Sequence, residues 1–101
     1  MAKGYWVAHV DVTDPEAYKA YVAANGEAFS KYGARFLVRG GRFERKEGSA
    51  RARNVVLEFK DFETALACYN SPEYAQAMQH RLSASFGDVI IIEGYDGPQP
   101  G

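Results

Sequence analysis

Alternating apolar positions and two stretches of helical spacing divide the chain. From Gly4 to Val12 aromatic and β-branched residues dominate. Strand alternation there puts Trp6, Ala8, Val10 and Val12 on one face and Tyr5, Val7, His9 and Asp11 on the other. Thr13-Asp14-Pro15-Glu16 signals a helix start. Asp14 can cap free amides, Pro15 suits the first helical position, and Glu16 favours the positive end of the helix dipole. Tyr18, Tyr21, Val22, Phe29 and Tyr32 then recur at helical spacing until Gly33 supplies a stop.

Arg35 to Arg39 reads as a second strand, with Gly40-Gly41 as a bulge or bend and Arg42 to Lys46 as its continuation. Glu47 to Arg53 has the polarity of a hairpin tip, and Asn54 to Phe59 forms a third strand. Asp61 caps a second helix carrying Phe62, Ala65, Leu66 and Tyr69. Asn70-Ser71-Pro72-Glu73 interrupts and restarts it, and Tyr74, Met78, Arg81 and Leu82 follow at inward-facing intervals. Asp88 to Tyr95 is the last strand, and residues 97–101 form a frayed tail. The order is βαββαβ. It predicts one α+β domain over residues 1–101, a ferredoxin-like four-stranded antiparallel sheet with helices on one face.

Two helices can cover only one face of such a sheet. Yet Val55-Val56-Leu57 and Val89-Ile90-Ile91-Ile92 are apolar at every position, the signature of strands buried on both sides. The chain holds nothing further to cover the second face. A homodimer stacking sheet on sheet, with Val56 or Ile91 in the contact, is the simplest closure.

Composition narrows the class. The chain is 47% hydrophobic and 25% charged, ordinary globular values that exclude a disordered tail protein. The net charge of −1 argues against a nucleic-acid partner. No apolar run approaches the roughly 20 residues that span a bilayer, and Met1-Ala2-Lys3-Gly4 does not resemble a signal peptide, so no membrane partner and a cytoplasmic location are expected.

Four segments carry a family resemblance: residues 4–12, Phe36-Leu37-Val38-Arg39-Gly40-Gly41, Tyr69-Asn70-Ser71-Pro72-Glu73-Tyr74 and Ile92-Glu93-Gly94-Tyr95. Over about Gly4 to Gly97 the chain resembles the domain-of-unknown-function family 1330, of the dimeric α/β-barrel superfamily. The resemblance implies a ferredoxin-like protomer whose sheets pair across a dimer, and no established reaction. The wider superfamily includes cofactor-independent monooxygenases, muconolactone isomerase-like enzymes and haem-degrading enzymes.

The candidate chemistry is sparse. Cys68 is the single cysteine, which excludes an internal disulfide and a cysteine-built zinc site. His9 and His80 have no metal-ligand spacing, so no metal or cofactor is expected; His80 reads as a solvated surface residue. His9, among apolar neighbours, is either a hydrogen-bonded interface histidine or a candidate catalytic base. Arg39 precedes a double glycine at the end of an apolar strand, and Arg81 falls on the inward face of the last helix. Buried guanidinium groups need partners. Either Glu58 and Glu93 serve, or a small organic anion does, since arginine's planar fork suits carboxylates.

Tyr18, Tyr21, Tyr69 and Tyr74 lie on core faces, and their hydroxyls imply buried hydrogen bonds or a polar-lined cavity. Between Arg35 and Arg53 lie seven of the twelve Lys and Arg residues against two acids, a net +5 facing −6 elsewhere. That segment reads as a solvated arm gripping a partner subunit. Two functions follow. One is a small-molecule-binding protein or cofactor-independent enzyme for a carboxylate-bearing or aromatic compound. In it Arg39 and Arg81 anchor the anion, Tyr18, Tyr21, Tyr69 and Tyr74 shape the cavity, and His9 accepts a proton. The alternative is a non-catalytic dimeric interaction module.

Overall fold

The computed structural model describes residues 2–101. Strand β1 (Gly4–Val12) leads into helix α1 (Pro15–Lys31), then β2 (Arg35–Arg39) and β3 (Arg53–Phe59). Helices α2 (Phe62–Tyr69) and α3 (Pro72–Ala84) follow, and β4 (Ser85–Glu93) closes the sheet. The strands run antiparallel in the order β2-β3-β1-β4, the ferredoxin-like arrangement expected.

The helix boundaries follow from side-chain caps. Asp14 accepts from the Ala17 amide at 3.2 Å, Asp61 from Thr64 at 2.7 Å and Ser71 from Tyr74 at 3.1 Å. Each satisfies an amide that has no partner within its helix. The Ser71 hydroxyl also donates to the Cys68 carbonyl at 2.7 Å, so one residue ends α2 and begins α3.

Trp6 is the hub of the core. Its ring meets Tyr74 edge-on at 4.9 Å and Phe29 at 5.3 Å, and its indole N–H donates to the Ala65 carbonyl at 2.8 Å. That bond fixes β1 to α2 and satisfies the polar handle of a buried tryptophan. Phe59, Val10, Tyr74 and Ala77 complete the layer between helices and sheet.

The strands differ from expectation in several places: β3 begins at Arg53 rather than Asn54, and β4 ends at Glu93 rather than Tyr95. β4 begins at Ser85, not Asp88, because α3 stops at Ala84, whose carbonyl receives the Thr13 and Asp14 amides. The irregularity in β2 lies between Phe36 and Val38, ahead of the glycine pair. Residues 41–52 are not a continued strand but a largely exposed irregular arm, with no ladder pairing to β3 beyond Arg39.

Two side chains face otherwise than expected. Ile91 pairs with Trp6 and packs against the core, so its neighbours Ile90 and Ile92 carry the outer face. Leu82, expected inward, is 64% exposed, because Tyr74, Ala77, Arg81 and Ala84 already form the buried stripe of α3.

Candidate functional site

Between α1, α3 and the inner face of the sheet lies a cleft of about 480 Å³ including its mouth. The cavity volume within it is small, about 30 Å³. Tyr18, Tyr21 and Asn25 line it from α1, Tyr74 and Arg81 from α3, and Phe36, Arg39 and Arg53 from β2 and β3. No aspartate, glutamate or histidine lines it.

A bulge delivers Arg39. Phe36 pairs with Leu57 and Arg39 with Val55, so both face inward although they are three residues apart. Strict alternation would send them to opposite faces; the extra residue in the bulge restores the parity. The Arg39 guanidinium then lies over the Phe36 ring at 4.1 Å. Arg53 shares the inner face with Val55 and Leu57, and its guanidinium stacks on Tyr18 at 5.6 Å. Gly40, at φ +66, lets Arg53 lie across the turn, since an added Cβ would meet its Nη1 at 2.7 Å. The two cations therefore stand side by side on neighbouring strands.

Arg81 is only 8% exposed. Burial alone would lower its pKa; the Tyr74 and Tyr21 oxygens reverse this and hold it above the ordinary value, most fully where those phenols ionise. At neutral pH they do not. Burial, then the proximity of Tyr74, pushes the Tyr21 hydroxyl well up, and burial raises Tyr74 as well. The two hydroxyls share a 2.8 Å hydrogen bond. Arg81 thus faces phenol dipoles and no counter-charge, and its Nε, like that of Arg53, is buried without a hydrogen-bond partner. Among the described residues, none of Arg39, Arg53 and Arg81 pairs with a carboxylate.

Of the expected residues, Arg39, Arg81, Tyr18, Tyr21 and Tyr74 come together here. Tyr69 does not line the cleft: it packs behind Tyr74 at 5.4 Å and against Trp6. His9 lies on the opposite face of the sheet, so a single chain does not bring it to the arginines. Its Nδ1 sits 2.6 Å from the Asn54 side-chain oxygen. Glu58, weighed as a partner for the arginines, instead accepts from the Tyr5 hydroxyl at 3.2 Å.

Cys68 is buried, and desolvation followed by the nearby Glu73 pushes its thiol up to about 12, so it is no nucleophile. Among the described residues, no three His, Cys, Asp or Glu side chains gather as a metal site, and no helix is long and apolar enough to cross a membrane.

Sequence reasoning missed Arg53 and Asn25. Arg53 was assigned to the hairpin tip, one residue before the expected strand; extending the Val55–Leu57 alternation back by two would have placed it inward. Asn25 shares the α1 stripe with Tyr18 and Tyr21 but is polar, so an apolar pattern passes over it.

The DUF1330 family, described as a domain of unknown function, matches residues 3–95. This chain belongs to that family. No curated protein matches it. Among solved structures, this DUF1330 chain is similar to a protein of unknown function from Rhodopseudomonas palustris. The two are 19% identical with a TM-score of 0.73, over 98% of this chain and 85% of that one. It also resembles SnoaB, a cofactor-independent oxygenase from Streptomyces nogalater, at 13% identity and TM-score 0.63, over 99% and 97% of the two chains. A dimeric ferredoxin-like protein of unknown function from Thermobifida fusca gives 12% identity and TM-score 0.59, over 91% and 89%. At these identities the likeness of this DUF1330 domain to each is one of fold.

Proposed function

We propose that this DUF1330 protein is a homodimeric small-molecule-binding protein that takes a small organic anion, carboxylate-bearing or aromatic, into the cleft between its helices and sheet. One observation carries the reading: three guanidinium groups border a single cleft that contains no acid. Buried cations without counter-charges are costly, and proteins pair or neutralise them. Arginine forks prefer planar oxyanions, and the surrounding Phe36, Tyr18 and Trp6 rings suit an organic body.

The same residues bound the chemistry. The lining offers cations and protonated phenols but no side chain that is a base at neutral pH, so it holds and stabilises negative charge on a bound oxygen. SnoaB, one structural neighbour, is a cofactor-independent oxygenase.

The outer face supports the dimer. Val7, Val56, Phe86, Ile90 and Ile92 lie there, with Phe86 56% and Ile90 53% exposed. Val7, Val56, Ile90 and Ile92 adjoin one another across β3, β1 and β4, an apolar patch of the kind that marks protein-interaction surfaces, and one neighbour is described as dimeric.

A thermal-shift screen of small carboxylates and phosphates tests the reading. A ligand of the native state alone stabilises it by about 2.7 kcal/mol at a hundredfold excess over its Kd. Arg81→Met, which keeps the aliphatic stem, abolishes that shift while the protein stays folded. If no anion stabilises the protein, the non-catalytic module is the better reading.

A further inference from the structure

The three cations differ in depth and in what surrounds them. Arg39 is exposed and Arg53 half-buried, side by side at the mouth; Arg81 lies at the buried end beside the Tyr21–Tyr74 pair. We infer that the ligand is a small acid with a second oxygen function, bound end-on: its carboxylate lies between Arg39 and Arg53, and a hydroxyl or keto oxygen reaches Arg81 and the two tyrosines. This rests on the reading of the cleft as an organic-anion site and adds to it the ligand's orientation and class.

At the mouth, each guanidinium lies over an aromatic ring, Arg39 4.1 Å from the centre of Phe36 and Arg53 5.6 Å from that of Tyr18. A ring contact consumes none of a guanidinium's N–H donors, which stay available for the two parallel bonds a carboxylate accepts. Two like charges on neighbouring strands repel one another unless an anion sits between them. The conformation of Gly40 gives Arg53 the room to adopt this position.

At the closed end the donor count is different. Two tyrosine hydroxyls carry two protons, and their mutual hydrogen bond uses one. The second proton and the unpartnered Arg81 Nε–H are both left at the buried end of a cleft whose cavity volume is only about 30 Å³, room for one or two water-sized groups. That end therefore suits one acceptor oxygen rather than a second bulky acid group. The lining also includes Ala8, Val55 and Val89, which suit a short apolar link.

Matched pairs of acids separate the two ends. Benzoate is compared with 4-hydroxybenzoate, and pentanoate with 4-oxopentanoate, by titration calorimetry and thermal shift on the intact protein. In at least one pair the oxygenated member binds on the order of tenfold tighter, because an analogue lacking the oxygen leaves buried donors unpaired. Tyr74→Phe, which removes only a hydroxyl, and Arg81→Met each bring that pair to near-equal affinity. Arg53→Gln weakens both members by a similar factor. Binding of all four acids without preference for the oxygenated ones overturns this inference and leaves the anion-site reading standing. So does a preference that survives both Tyr74→Phe and Arg81→Met. Failure of all four acids to bind overturns both.

Discussion

The two faces of the sheet treat the same residue type in opposite ways. On the outer face, Arg51 bonds Asp11 through Nη1 at 2.8 Å and Asp88 through Nε at 3.2 Å. The Ala52 amide adds a bond to the other Asp11 oxygen, tying the end of the arm to β1. On the inner face, Arg39, Arg53 and Arg81 have aromatic rings and phenols for company and no carboxylate. An arginine with two acids is a strut, and its partners are already in the chain. Three arginines with none, of which Arg81 is the buried one, are the charges that the proposed anion would meet. The apolar residues divide in the same way. Those inside are closed over by helices, whereas Phe86, Ile90 and Ile92 outside are about half exposed.

The sharpest way to break this contrast is to charge the outer face. Val56 lies at its centre, paired with Val7 on one side and Val38 on the other. Val56→Asp buries an unpaired carboxylate in the proposed contact and costs several kcal/mol. Sedimentation velocity then shows monomers, or an unfolded chain. Leu82→Asp is the control: this leucine is 64% exposed and belongs to α3, away from the sheet, and its replacement changes stability by only about 0.5 kcal/mol or less. A wild-type chain that sediments as a folded monomer removes the dimer from the proposal.

The inner face is tested by removing a charge. Without ligand, Arg81→Met replaces a buried guanidinium that has no counter-ion, and the apo-protein becomes more stable by on the order of 1 kcal/mol or more. Urea denaturation measures this. Loss of stability instead means that Arg81 acts as a strut like Arg51, and the contrast between the faces fails.

Much of this was legible in the residues because it depends on short-range signals. Asp14, Asp61 and Ser71 mark helix starts through a side chain two or three positions from the amide it caps, so they can be read locally. Alternation in β1 separated Trp6 from His9 correctly. The bulge was legible only as a likelihood of irregularity near the glycines. Its true place, at Phe36–Val38, depends on register with β3 across the sheet, and that register decides whether Arg39 faces in or out. Arg53 was lost to a strand boundary drawn one residue late. Tyr69 shows the opposite limit: helical spacing placed it inward, but which inward residues touch the cleft and which stand behind it depends on the Trp6–Tyr74 packing.

The phenols of the inner face give a test by pH. Tyr21 and Tyr74 both titrate above their ordinary value of 10.0 in the folded protein, chiefly because burial disfavours the phenolate. The stability they contribute is therefore complete below pH 10.0 and is lost as pH rises above it toward the folded values. Each such group steepens the loss by up to about 1.4 kcal/mol per pH unit. Denaturation of the wild type and of the Tyr21→Phe/Tyr74→Phe variant at pH 9, 10 and 11 isolates this from lysine titration. The double variant shows the shallower decline, and equal slopes in the two proteins would mean that these hydroxyls are hydrated rather than enclosed.

The smallest effect belongs to the paired arginine. Arg51→Met removes two ion pairs, but its side chain keeps 32% of its surface and the Asp88 side chain 70%, so solvent screens most of the attraction. The loss is small and shrinks further in high salt. Its sign is what matters: Arg51→Met destabilises where Arg81→Met stabilises, although both exchange an arginine for the same residue. Anion affinity is unchanged in Arg51→Met, because that side chain lies across the sheet from the cleft. A change in affinity on this substitution would mean that the two faces communicate through β3, and the division between strut and site would have to be redrawn.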